Sequence, residues 1–330
     1  MSMMKPRRLK LWAGVMALAA AAMAPAAQAG EPKVVVTIKP IHSLVTQVMD
    51  GIAQPKLIVD GAASPHTFML KPSGARALSE ADVFIRVSEA VEPFTRKLMT
   101  SLPKSVTALT LIEVPGITLL DMRQGGSFEA HDHDGHDDHD KHDKHADNAD
   151  HDDDDHGGKD GHIWLNPDNA KAIVAAVTET LVKRYPEHAG KLKANADAVT
   201  AKLDGLSAEL SSTLTPLAGR PFVVFHDATQ YFEKRFGLSA AGAITVSPDV
   251  QPSARRLAAV RTKISKLSAV CVFAEPGFQP KLVSAVTDGT KARSGVLDVE
   301  GQSLTPGPNL YFDLMRGMGT AFAGCLAPAP

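Results

Sequence analysis

Cysteine is scarce in this chain: Cys271 and Cys325 are the whole supply in 330 residues. Neither belongs to a C-x-x-C pair or has a histidine beside it, so no redox or nucleophilic thiol is indicated. Long apolar runs are scarce too. Leu11 to Met23 falls well short of the roughly 20 residues that a membrane-spanning helix needs, and no other segment approaches that length. No basic cluster is interleaved with aromatics, which argues against a nucleic-acid surface. No H-E-x-x-H or comparable motif occurs, which leaves a metallohydrolase without its general base. The last absence is local. From Glu129 to Asp160 no apolar residue is larger than alanine, so this segment cannot bury enough surface to offset its ordering entropy and reads as a mobile, solvated loop.

What the segment has instead is histidine. Nine of the thirteen histidines lie between His131 and His162, among fourteen acidic residues counted from Glu129 to Asp160. Imidazole nitrogen ligates borderline metals such as Zn, Cu and Ni, and the carboxylates add oxygen donors and a charge that gathers cations. An acidic solubilising linker needs the aspartates but not a histidine at nearly every third position. The segment therefore reads as metal-binding. His131, His133, His136, His139, His142, His145, His151 and His156 form a loose collector, while His162, directly before the apolar Ile-Trp-Leu where ordered chain resumes, reads as a fixed ligand.

The amino terminus carries four basic residues, then the apolar run, then Ala-Gln-Ala before Gly30. That pattern is a secretory leader over residues 1–29, cut after Ala29, and it implies a protein exported across the inner membrane. In an exported protein an even pair of cysteines favours a disulfide. Removing the leader's four basic residues from the chain's 35 basic and 37 acidic side chains leaves a net charge of about −6, and residues 129–160 alone supply −11. The folded remainder is mildly positive, so the loop is a separate electrostatic object.

From Lys33 strands and helices alternate. The runs 34–38, 55–59, 82–87 and 106–114 read as strands, with helices from Pro40, Pro72 and Glu92. After His162 come two long helices, the second from Pro186 to a break near Pro216, and then alternation resumes. The expected architecture is α/β: two α/β lobes joined by one long rigid helix, with a metal site in the cleft between them. The boundaries are 30–185 for the first lobe, including the loop at about 129–160, 186–218 for the linking helix, and 219–330 for the second lobe.

Ligand sites in α/β sheets gather at the carboxyl ends of strands. His66 follows a strand in Asp-Gly-Ala-Ala-Ser-Pro-His, His226 ends Phe-Val-Val-Phe-His, and His162 opens a loop-to-strand junction, so one metal held by all three would sit between the lobes. His42 and His188 have no such company and read as structural or exposed. Asp227 and Glu275 are candidates to hold the outer nitrogen of a ligating imidazole, with a helix N-cap as the alternative for Asp227. Phe225, Tyr231 and Trp164 read as lining and packing.

The motifs SPHTFMLKPS, DGHIWLNP, FHDATQYFEKRFGL, VSPDVQPSARRL, CVFAEPGFQPKLV and GVLD together resemble the ZnuA family, the zinc-binding periplasmic components of zinc ABC transporters, from Lys33 to Cys325. The resemblance implies a non-enzymatic, monomeric periplasmic receptor that captures Zn²⁺ and delivers it to an inner-membrane ABC permease. It implies His66, His162 and His226 as ligands, the His-rich loop beside the cleft, and a disulfide between Cys271 and Cys325 in the second lobe. His226 stands where manganese- and iron-binding relatives carry a carboxylate, which points to zinc. Some zinc members carry Glu directly before the first ligand, where this chain has Pro65. The fourth position then falls to Asp298, matching an aspartate ligand of several relatives, or to water. A periplasmic metal buffer or adhesin, in which the loop is the working part, is the rival reading.

Overall fold

The protein is described by a computed structural model that covers residues 31–123, 128, 158–245, 251–277 and 280–328. The leader expected at 1–29 and the eight collector histidines from His131 to His156 lie outside the described residues.

β-Branched runs build the first sheet. β1 (Val34–Val36) is buried throughout, and β2 (Lys56–Leu57), β3 (Val83–Arg86) and β4 (Thr107–Thr110) join it in the order β2-β1-β3-β4, all parallel. Parallel neighbours need crossovers, here α1 (Lys39–Val48), α2 (Pro72–Ser79) and α3 (Arg96–Ser101). The strands are shorter than the sequence runs. Residues 111–113 turn into a 3₁₀ segment, and the chain after Leu57 is already the loop that carries His66.

Pro167 opens α4 (Pro167–Arg184), whose N-cap Asn166 accepts from the Asp168 amide. Tyr185 breaks the helix, and α5 (Ala189–Leu214) follows a 3₁₀ turn begun by Pro186. Its 26 residues, about 39 Å at the α-helical rise, are fewer than the 186–218 expected, because prolines at 186 and 216 convert both ends to 3₁₀ turns. Nor is it a bare strut. Leu192, Ala196, Val199, Leu203, Leu206, Leu210 and Leu214 form one buried stripe, and the helix packs against α4 and α1.

The second sheet repeats the first: β5 (Phe222–His226), β6 (Ala240–Thr245), β7 (Cys271–Ala274) and β8 (Arg293–Val296), all parallel, in the order β6-β5-β7-β8. Its connecting helices are α6 (Gln230–Phe236), α7 (Ala254–Lys266) and α8 (Pro280–Thr287). The final helix, α9 (Leu310–Leu326), is absent from the sequence reading although its buried Leu310, Leu314, Met318, Phe322 and Leu326 stand at regular helical spacing. It packs on α1 and α5, and the Cys271–Cys325 disulfide staples it to β7. One apolar core runs from Val36 and Ile85 under the first sheet, through Trp164, Leu203 and Tyr311, to Phe222 and Phe273 under the second.

Candidate metal centre

Two of the histidines reach the centre from the carboxyl ends of strands and the third from a loop return. His226 is the last residue of β5, His66 lies in the loop between β2 and α2, and His162 stands at the return from residues 124–157, where the strand expected after it is instead the 3₁₀ turn Ile163–Leu165. The structure brings the three together. Nε2 of His162 lies 3.3 Å from Nε2 of His66 and 3.4 Å from Nε2 of His226. A tetrahedral metal with nitrogen bonds of about 2.0–2.1 Å requires edges of about 3.3–3.4 Å, so these two separations match its geometry. Among the described residues this is the one group of three or more histidine, cysteine or acidic side chains so gathered.

Two carboxylates fix the tautomers by the same device. Asp160 Oδ1 accepts from the ring Nδ1–H of His162 at 2.7 Å and from its backbone N–H at 3.0 Å. Glu275 Oε1 accepts from the ring Nδ1–H of His226 at 2.6 Å and from its backbone N–H at 3.2 Å. An ionised carboxylate only accepts, so the proton sits on Nδ1 and the Nε2 lone pair is left facing the centre. Converging lone pairs repel one another, and a cation between them relieves that. Burial, with His162 and His226 as near neighbours, holds His66 well below the usual histidine range. Burial alone would lower His226 as well, but the Glu275 carboxylate overrides it and the net shift is upward.

Of the residues singled out in the sequence, Glu275 meets His226, but Asp227 neither holds an imidazole nor caps α6. It pairs with Arg123, which also reaches Glu233 at 2.8 Å. Asp298 stands outside the histidine group: its two oxygens accept the backbone N–H groups of Gln302 and Ser303, each at 2.8 Å. A carboxylate that does approach is Glu300, whose Oε1 is 3.7 Å from His66 Nε2. His42 is buried against the Pro55 carbonyl and His188 lies at the start of α5, both away from the group. Trp164 and Tyr231 pack in the core and also donate, Trp164 Nε1–H to the Val299 carbonyl at 2.9 Å and the Tyr231 hydroxyl to the Asp160 carbonyl at 2.6 Å. Asp160, Glu300 and Arg123 went unread. Asp160 was one acid among fourteen, though its place two residues before His162 was a usable signal.

The flanks of residues 124–157 meet beside the centre. Met122 N–H donates to the Gly158 carbonyl at 2.7 Å, Asp160 N–H to the Leu120 carbonyl at 2.9 Å, and Lys159 pairs with Asp121 at 2.5 Å. Met122, Arg123 and Lys159 line the same small cavity as the three histidines. Gly161 lets this stem approach closely, since a Cβ there would stand 2.5 Å from Val91 Cγ2. A larger hollow lined by Arg220, Lys291 and Arg293 lies at the amino ends of the second sheet's strands, away from the histidines.

A family model described as "Zinc-uptake complex component A periplasmic" (ZnuA) matches residues 34–325. The high-affinity zinc uptake system protein ZnuA of Brucella suis is 49% identical over 311 residues, 91% of this chain and 93% of its own length. The protein of the same name from Paracoccus denitrificans is 43% identical over 316 residues, 94% of this chain and 97% of its own. Among solved structures, the periplasmic zinc binding protein TroA from Treponema pallidum superposes with a TM-score of 0.73 at 20% identity, over 91% of this chain and 100% of that one. A crystal structure of ZnuA gives 0.70 at 21% identity, over 89% and 98%. At such identities the solved structures speak to the fold, which has the same two-lobed form.

Proposed function

The chain belongs to the ZnuA family of periplasmic zinc-uptake components, and from that premise we propose that His66, His162 and His226 hold the zinc ion through their Nε2 atoms. The protein is a receptor and not an enzyme: it binds Zn²⁺ with high affinity and serves zinc import by an ABC transporter. No described helix is long and apolar enough to cross a membrane.

What carries the ligand assignment is the pair of tetrahedral edges, 3.3 and 3.4 Å, among nitrogens of which two, those of His162 and His226, belong to rings fixed with lone pairs facing inward. Zinc bound there replaces the repulsion of three lone pairs with three bonds, and the Asp160 and Glu275 carboxylates raise the basicity of the rings they hold. In this reading a monomer, with lobes 30–185 and 219–330 joined by a 186–218 segment built around α5, hands zinc to an inner-membrane ABC permease. His131 to His156 act as the auxiliary collector; the stem that closes their segment at the cavity rim supports that role.

The test is zinc titration by calorimetry on protein lacking residues 131–156. One tight ion per chain is expected, lost by orders of magnitude in His66→Ala, His162→Ala and His226→Ala and kept in His188→Ala. Wild-type affinity in His226→Ala would refute the assignment.

A further inference from the structure

Resting on that reading, we propose that Glu300 supplies the fourth donor to the zinc ion and that Lys39, from the other lobe, positions it. Glu300 is a second-lobe residue, 7% exposed, which the loop after β8 brings beside His66. Its Oε1 lies 3.7 Å from His66 Nε2 and accepts from the Ser64 hydroxyl at 3.2 Å. Oε2 accepts from the Gln302 amide at 2.7 Å. Among the described residues no lysine or arginine forms an ion pair with this carboxylate, and a buried charge without a counter-ion is costly. A divalent ion between the imidazoles and Glu300 supplies that counter-charge, and one carboxylate oxygen completes a four-coordinate shell with three nitrogens.

The loop bearing Glu300 is held in shape from two directions. Asp298 gathers the Gln302 and Ser303 amides, and Gly301, at φ +72°, makes the turn between them. From the first lobe, Lys39 at the start of α1 spends all three ammonium protons on this loop, donating to the carbonyls of Gly301 at 3.0 Å, Gln302 at 3.2 Å and Leu304 at 3.0 Å. Trp164 holds the Val299 carbonyl beside it. Lys39 is 5% exposed and has no bond to Glu300, so it acts through the backbone. Pro65, Lys39 and Glu300 line one small cavity next to the histidines, where a carboxylate from the second lobe fills a corner of the first.

The experiment uses the full chain loaded with Co²⁺ for its visible spectrum and with Zn²⁺ for chelator competition. A bound water exchanges with azide, whereas a protein carboxylate in its place resists. Wild-type Co²⁺ protein should keep its spectrum in azide, while Glu300→Gln and Glu300→Ala should respond to azide and bind zinc at least roughly tenfold more weakly, the lower end of what losing an outer partner costs. Lys39→Met should weaken zinc while leaving the azide-resistant spectrum intact, and Lys39→Arg should recover part of the loss. Thermal melts of the metal-free variants identify any that fail to fold, and the isosteric Glu300→Gln is the variant least exposed to that failure. An azide-sensitive wild type, or Glu300 variants within twofold of its zinc affinity, overturns the ligand. Unchanged affinity in Lys39→Met overturns the positioning role. Neither result touches the three histidines, whose failure would show as a wild-type protein without tight zinc.

Discussion

Replacing Glu275 by glutamine probes the site without moving a ligand. The carboxylate accepts two bonds from one residue, the His226 ring at 2.6 Å and the His226 amide at 3.2 Å. Glutamine keeps an oxygen in that place but loses the charge, and charge-assisted bonds are roughly twice as strong as neutral ones. A loss of about 1–2 kcal/mol follows, about tenfold in zinc affinity, with alanine nearer a hundredfold. The pH dependence is the sharper readout. Glu275 raises the His226 pKa, so in the wild-type protein a proton competes with zinc for this ring from a higher pH. Glutamine removes that influence, and the variant's proton competition begins at lower pH. The affinity ratio between wild type and Glu275→Gln should therefore be largest near pH 8 and shrink towards pH 6, measured by chelator competition in each buffer. A ratio that grows on acidification, or none at pH 8, would refute the reasoning.

Cys271 and Cys325 close a loop of 54 positions, so replacing both with serine should cost about 4 kcal/mol on chain-entropy grounds; equal denaturation midpoints with and without reductant would contradict this. Glu92 is wholly buried, which pushes its carboxyl up to about 7 against the bonds it accepts from Thr37, Ser88 and Val87. A raised pKa means its contribution is fully present below the unfolded value near 4.5 and is lost as pH rises through about 7. Glu92→Gln should accordingly gain on wild type by about 3 kcal/mol between pH 4.5 and 8 in urea unfolding curves, and parallel curves would count against it. Gly161→Ala should destabilise by about 1–3 kcal/mol, because the new Cβ meets Val91 Cγ2 at 2.5 Å, and should weaken zinc through the neighbouring His162; an unchanged denaturation midpoint would show that the stem gives way freely.

Alternation of apolar runs with helical spacing was enough to read both sheets, because every strand pairs in parallel and the central strands β1, β3, β5 and β7 are largely buried along their length. α9 is harder to read because it has no side-chain N-cap and carries three glycines of low helix propensity, Gly317, Gly319 and Gly324, yet Gly319 is where Leu210 of α5 approaches, at 2.5 Å from a notional Cβ. The grouping of His66, His162 and His226 was legible from His66 following a strand, His226 ending one and His162 standing where the His-rich segment gives way to the apolar Ile163–Leu165. The carboxylates around them were harder. Asp298 and Glu300 are two residues apart on one loop, and which of them turns towards the histidines depends on Gly301 and on a lysine 261 positions upstream, a dependence no local pattern encodes. Asp227 illustrates the same limit, since its partner Arg123 lies 104 positions away.

The unbroken core beneath the two sheets has a thermodynamic consequence. Trp164, Leu203, Leu210 and Tyr311 belong equally to both halves, so a fragment ending before α5 or beginning after it would expose an apolar face with nothing to cover it. Neither half should be expressible alone as a stable protein, and the intact chain should melt in one cooperative transition whatever the number of sheets. Damage to the second sheet would then be felt at His66 in the first, through a shared melting equilibrium and without any change of shape at the site.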